Sequence, residues 1–309
     1  MKIDIFCHFL PPKYLSALQK KGKLTPDFNR ELANDANTKL DVRLRLMERY
    51  PDVLQVLSIS QPPLEKVTSS GDSAELARIA NDELAELVTK YPDKFISGVA
   101  CLPMNDIESA LDEADRAINE LKFRGVEIYS NINGEPLDAP KFRPLYEKMV
   151  KHDFPIWLHP CMGDTGDQAL FGWPYETSSA VVRLVSGGII QDYPDIKFII
   201  HHAGSMVPFF EGRIKWMYPL EFGGKIRNPR EQFRKFYCDT AAYGSSSALM
   251  CAYNFFGADH LLFGTDMPLG PRYGLTAETS RSIERLTIPE IDKEKIFAQN
   301  AVNLLRIAI

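Results

Sequence analysis

Side chains able to bind a metal or move a proton recur in this chain at one kind of place, the C-terminal end of an apolar run. They are His8, Glu127, Asn131, His159, His202, Asp239 and Asp266. Each alone is weak evidence, since a lone histidine is more often a satisfied structural residue. Three of the six histidines at such ends, with an aspartate at the last of them, form a stronger pattern. Neutral imidazoles with a carboxylate are the usual donors for zinc or another divalent transition metal. The same groups serve as general acids and bases. Side-chain alternation along the first run puts Asp4, Phe6 and His8 on one face and Ile3, Ile5 and Cys7 on the other. Phe6 shares that face with His8 as an apolar neighbour.

These positions imply the elements that carry them. Residues 3–8, 52–60, 95–103, 125–131, 155–160, 197–204, 236–241 and 260–268 are apolar, often β-branched, and bounded by Pro, Gly or polar residues, so they read as strands. Helices are expected from Asp41 to about Tyr50, with Val42, Leu44 and Leu46 among its apolar positions, and from an Asp72 or Ser73 cap to near Tyr91. Others are expected over 106–121, 141–152 and 176–191, and after about Ala277, Asp292 and Ala298. Residues 9–38 read as irregular, and 161–175 as a long loop. Eight strands that alternate with helices call for parallel pairing through right-handed crossovers. The expected fold is therefore α/β, a (β/α)8 TIM barrel with parallel strands, in a single domain spanning 1–309. An open dinucleotide-binding sheet has no support, since no GxGxxG follows the first strand. In such a barrel the active site lies at the C-terminal strand ends, where the polar set falls.

Composition narrows the function class. Hydrophobic residues make up 45% and charged residues 25%, an ordinary globular balance. A formal charge of -5 gives no reason to expect nucleic acid or an anionic membrane as partner. Cys7, Cys101, Cys161, Cys238 and Cys251 are odd in number and lack CxxC spacing, which points to free thiols and a reducing, cytoplasmic location. No apolar run is long enough to span a bilayer, and the N-terminus enters a strand without a signal peptide.

Several short motifs then converge. They are Ile3-Asp4-x-x-x-His8-Phe9, Pro155-Ile156-Trp157-Leu158-His159-Pro160, Pro174-Tyr175-Glu176-Thr177, His202-Ala203-Gly204-Ser205-Met206-Val207-Pro208-Phe209, Phe236-Tyr237-Cys238-Asp239 and Leu262-Phe263-Gly264-Thr265-Asp266-Met267-Pro268. Through them the whole chain resembles the decarboxylase-like branch of the amidohydrolase superfamily, which includes aminocarboxymuconate semialdehyde decarboxylase and γ-resorcylate decarboxylase. The resemblance implies a divalent metal, zinc foremost with manganese as the other candidate, held by His8, His159 and Asp266. It implies His202 as the catalytic acid or base, with Asp266 sharing in catalysis by managing a metal-bound water. His201 is expected to point away and play a structural role. His152 and His260 are expected to be solvated or in the core. Phe171 and Trp173 are expected to wall a flat substrate, Arg30 to bind a second carboxylate, and Glu127 to serve the substrate or recruit to the metal.

Phe6 stands where the family usually carries a first-strand ligand, and four readings stay open. The metal is held by His8, His159 and Asp266 with water or substrate; it is bound more weakly or with Glu127; it is absent and His202 works alone; or chemistry has been lost. The resemblance implies an enzyme, a non-oxidative decarboxylase (a carbon–carbon lyase) of a small aromatic or muconate-like carboxylate, working as a homodimer or higher homo-oligomer. The alternatives are hydrolysis of a carbon–carbon, lactone or amide bond, and a non-catalytic ligand-binding barrel.

Overall fold

A computed structural model describes residues 1–24, 28, 32–59, 61–161, 167–224, 226, 228–271 and 275–308. Its barrel strands are β1 (Lys2–His8), β2 (Val53–Ser58), β3 (Phe95–Gly98, resuming as Ala100–Cys101), β4 (Val126–Tyr129), β5 (Ile156–His159), β6 (Phe198–Ile200), β7 (Tyr237–Asp239) and β8 (Leu261–Leu262). Each pairs in parallel with the next in the series. The Val99 N–H donates to Leu57 and the Ala100 N–H to Gly125, which carries the ladder through the break in β3. The circle closes between β1 and β8, where Ile5 N donates to Phe263 O at 3.0 Å, His8 N to Met267 O at 2.7 Å and Asp266 N to Phe6 O at 2.8 Å. The expected (β/α)8 barrel is the fold.

The lumen has two layers. Its lower part is a dry cluster of Ile3, Ile5, Phe6, Val56, Val99, Trp157, Ile199 and Leu262, to which Leu304 and Leu305 of the C-terminal helix Asn300–Leu305 also belong. A second cluster, with Val126, Ile128, Phe198, Ile200 and Cys7, joins the strands to the helices around them. The long helix Ser70–Lys90 adds Leu76, Ala77, Ala80 and Leu84 to that outer core. Burying such side chains contributes ~25 cal/mol per Å² of apolar surface removed from water.

Some local expectations shift. The cap of the long helix is Ser69, whose Oγ accepts from Asp72 N at 3.3 Å, so Asp72 and Ser73 lie inside the first turn. The stretch 9–38 is not wholly irregular: Pro12–Lys21 is helical, since Pro12 occupies the first helical position, where its missing N–H costs nothing. Pro174 does the same for Trp173–Ser186, and the π-helical turn Gln168–Gly172 precedes it, so the loop after β5 ends well before residue 175. In Leu40–Met47 the fully buried positions are Arg43 and Met47, while Val42, Leu44 and Leu46 are only partly covered. Arg43 donates to Gln55 Oε1 at 3.0 Å beneath β1 and β2. All five cysteines are free thiols.

Candidate active site at the C-terminal rim of the barrel

The first strand does not keep strict alternation. Its register with β2 runs Lys2 to Val53, Ile3 to Leu54 and Asp4 to Gln55, then resumes with Cys7 to Leu57 and His8 to Ser58. Three residues advance in β1 for two in β2, which is a β-bulge. The bulge lets Ile3 and Ile5 join the inner cluster below and still places Phe6 and His8 among the rings above. Asp4 therefore does not share the face of His8, as alternation suggested. Its carboxylate crosses to β8, accepting from Thr265 N at 3.0 Å and Thr265 Oγ1 at 2.5 Å. Gly264 permits this close seam: a Cβ there would lie 2.8 Å from Asp239 Cβ and 3.0 Å from Phe6 Cβ.

The seam fixes Asp266 against His8. Asp266 has φ +63°, a left-handed backbone that non-glycine residues adopt at a cost of ~1–3 kcal/mol, and its N–H is tied to Phe6 O. Its Oδ2 accepts from the Tyr243 hydroxyl at 3.1 Å, and its Oδ1 lies 3.3 Å from His8 Nε2. Burial alone would raise the Asp266 carboxyl, but the His8 imidazole beside it and the charges of His202 and His159 bring it below its ordinary value. The same carboxylate, with burial, pushes the Tyr243 phenol up.

Four imidazoles stand around Phe6. Its ring stacks on His201 at 3.6 Å and 13°, meets His8 edge-on at 4.8 Å, and lies 5.8 Å from His159 and 6.0 Å from His202. His8 and His159 are 5.2 Å apart, and His159 and His201 5.6 Å, centroid to centroid. His8 Nδ1 is 2.9 Å from Ser58 Oγ, and His159 Nδ1 is 2.9 Å from Pro160 O. Burial and the neighbouring charges of His8 and His201 hold His159 well below the usual imidazole range, and burial with His202 and His8 does the same for His201.

His201 does not point away. Ile199 belongs to the inner cluster and Ile200 to the outer one, so His201 continues the lumen face of β6. His201 is fully buried, and its Nδ1 is 2.7 Å from Asp239 Oδ2. Asp239 Oδ1 also accepts from Ala203 N at 3.3 Å and Ala241 N at 2.8 Å. Burial raises the Asp239 carboxyl to about 7. The strand ends here: His202, Ala203, Gly204 and Ser205 all have positive φ. In that turn His202 is half-buried and stacks on Trp173 at 6.4 Å and 7°. The sequence reading missed His201 and the orienting part of Asp239; alternation counted from Ile199 would have found the former, while the latter is a contact between strands 38 residues apart.

Behind the imidazoles lies a carboxyl layer. Glu127 faces the lumen from β4 and hydrogen-bonds Ser58, which also holds His8. Burial raises Glu127 to about 8, so it is mostly protonated at neutral pH. It is placed behind His8 rather than at the open rim. Gln61 Nε2 donates to Pro160 O at 2.9 Å and lies 3.3 Å from His159 Nδ1.

The remaining expectations divide. Trp173 reaches the site through His202, whereas Phe171 is 63% exposed. Arg30 lies outside the described residues. Asn131 turns to Glu176 and the Gly134 N–H. His152 pairs with Asp115 at 2.7 Å, and His260 stacks on Tyr237 and reaches Phe236 O, so neither joins the site.

The donor chemistry fits a divalent cation. The Nδ1 atoms of His8, His159 and His201 each face a hydrogen-bonding partner, while Nε2 of His201 is buried with none and Nε2 of His8 faces only the Asp266 carboxylate, 3.3 Å away. An unpartnered buried polar atom costs ~1–3 kcal/mol, which a ligand would recover. Ring spacings of 5.2 and 5.6 Å are those of imidazoles able to share one ion. Among the described residues no three His, Cys, Asp or Glu side chains are already drawn together as a ligand set, because the Phe6 ring stands among them.

Comparison with known proteins gives the family and the fold. The family profile described as amidohydrolase matches residues 3–307. The 2-amino-3-carboxymuconate-6-semialdehyde decarboxylase of Dictyostelium discoideum is 30% identical, over 99% of this chain and 91% of its own. A γ-resorcylate decarboxylase from a Rhizobium species is 29% identical, over 99% of this chain and 98% of its own. The crystal structure of a dihydroxybenzoic acid decarboxylase from a Polaromonas species, with bound manganese and the inhibitor 2-nitroresorcinol, superposes with a TM-score of 0.83. It is 28% identical and covers 99% of this chain and 96% of its own.

Proposed function

The chain belongs to the amidohydrolase family, and from that membership we propose that it is a metal-dependent, non-oxidative decarboxylase of a small aromatic or muconate-like carboxylic acid. One observation carries the reading. Buried imidazoles converge on one side of the lumen, His8 with its Nε2 on the Asp266 carboxylate and His201 with an unpartnered Nε2, and one further imidazole, His202, stands at the rim against a flat indole. A divalent ion held by His8, His159 and Asp266 would supply Lewis-acid binding of the substrate carboxylate and an adjacent oxygen. Manganese, held by the Polaromonas structure, and zinc, suited to the imidazole-rich donor set, are the two candidates.

The chain's own residues do the rest. The Trp173 ring, parallel to His202, offers a flat wall on which a planar acid can lie. His202 delivers a proton to the ring carbon that bears the carboxylate. The electrons of the carbon–carbon bond then return to the ring as carbon dioxide leaves. Tyr243 holds Asp266 in place from the rim, and Glu127, through Ser58, holds the His8 ring. In this reading residues 1–309 act as one barrel domain. A homo-oligomer would cover the exposed Phe209, Trp216 and Leu220.

The test uses purified protein reconstituted with manganese or zinc and offered 2,6-dihydroxybenzoate, 6-methylsalicylate and 2-amino-3-carboxymuconate semialdehyde in deuterated water. Carbon dioxide release with one deuterium at the vacated carbon is expected. His202→Asn should lower kcat by ~10²–10⁴-fold, the range for loss of a general acid. Consumption of substrate without carbon dioxide would overturn the proposal in favour of hydrolysis, and binding without turnover would overturn it in favour of a ligand-binding barrel.

A further inference from the structure

His201 is the one lumen histidine that the proposed reaction leaves without a task, yet it is built more firmly than the others. It is fully buried, and its Nδ1 lies 2.7 Å from Asp239 Oδ2 while Asp239 Oδ1 accepts from Ala203 N and Ala241 N. A carboxylate on Nδ1 fixes the tautomer with the proton on Nδ1 and leaves the Nε2 lone pair free, the arrangement that orients metal-ligating histidines. That Nε2 atom is buried and has no partner. The ring is 5.6 Å from His159, and Phe6 stacks flat on it at 3.6 Å, so its plane is set from two sides.

We propose that His201 supplies an imidazole ligand to the divalent metal through Nε2, with Asp239 as its orienting carboxylate. The centre then comprises His8, His159, His201 and Asp266. Phe6 acts as the apolar floor against which the His201 ring is pressed, and the third nitrogen comes from β6 instead of β1. This rests on the metal site of the proposed function but not on the reaction that site performs.

The test reads coordination, not turnover. Chelator-treated wild-type protein is reconstituted with manganese, and pulsed EPR counts the directly bound imidazole nitrogens. Three are expected; two, or failure to bind the ion at all, would overturn the proposal. In parallel, cobalt affinity and the visible cobalt spectrum are measured for His201→Asn, Asp239→Asn and His202→Asn. Affinity should fall by more than about 100-fold for His201→Asn and ~10–100-fold for Asp239→Asn, with an altered spectrum for the former. His202→Asn should bind as the wild type does. Unchanged affinity and spectrum in a folded His201→Asn would overturn the assignment, and the wild-type EPR count decides it if that variant does not fold. Three bound imidazoles without decarboxylation would sink the proposed reaction alone. Two bound imidazoles with decarboxylation intact would sink only the His201 ligand.

Discussion

The two ends of the barrel lumen are made by the same strands and obey opposite rules. At the lower end Ile3, Ile5, Val56, Val99, Trp157, Ile199 and Leu262 form a closed apolar plug, and its one polar group is satisfied, since the Trp157 indole N–H donates to Ile5 O at 2.9 Å. A few residues further along, the same strands present His8, Glu127, His159, His201, Asp239 and Asp266. All are buried, Glu127 and His201 each keep one polar atom without a partner, and Asp266 and the neighbouring His202 are held in left-handed backbone. The plug has the packing of a stability element. The upper layer has the desolvated charges and local strain of a site whose ligand completes it.

The largest effect that tests this contrast is at the plug. Trp157→Ala should cost about 3–5 kcal/mol in denaturant unfolding, through the cavity it leaves and the orphaned Ile5 carbonyl. A loss below about 1 kcal/mol would mean that the plug is not where stability resides. In the upper layer the sign reverses. The Glu127 carboxyl is raised from 4.5 to about 8, so the folded state keeps a proton that the unfolded state releases. Its contribution to stability is therefore neutral below about pH 4 and falls as pH rises from about 4.5 to about 8. Glu127→Gln should match the wild type in melts at pH 4 and exceed it at pH 8.5 by up to about 5 kcal/mol, the equivalent of the full shift. Equal stability at both pH values would contradict that picture. The smallest effect belongs to the surface. Phe171→Ala should change stability by less than about 0.5 kcal/mol and leave turnover nearly unchanged, since that ring is 63% exposed; a large loss of kcat/KM would show that it covers the bound substrate.

How much of this was legible depends on the range of the interaction concerned. Strand positions and the barrel follow from runs such as Ile156-Trp157-Leu158 and Phe198-Ile199-Ile200, because burial of alternate residues is a local pattern repeated eight times. The helix starts at Pro12 and Trp173 were missed because a proline near an N-terminus reads equally as a break. At the site His8, His159 and Asp266 were legible as strand-end donors, and the structure puts His8 5.2 Å from His159, centroid to centroid, and 3.3 Å from the Asp266 carboxylate. His201 was misjudged because the alternation was counted from His202, a residue already outside the strand.

The sequence by itself determined which elements form, which residue types reach the rim, and that Phe6 cannot bind a metal. Only the tertiary structure decided how Phe6 is used. The bulge between Asp4 and Cys7 changes which side chains of β1 face inward, and it arises from pairing with β2 across some fifty residues. Likewise, the group that occupies Nδ1 of the buried His201 is Asp239, from a neighbouring strand. Local sequence fixes the period of a strand, but the contacts that reset its phase and choose a tautomer come from residues distant in the chain.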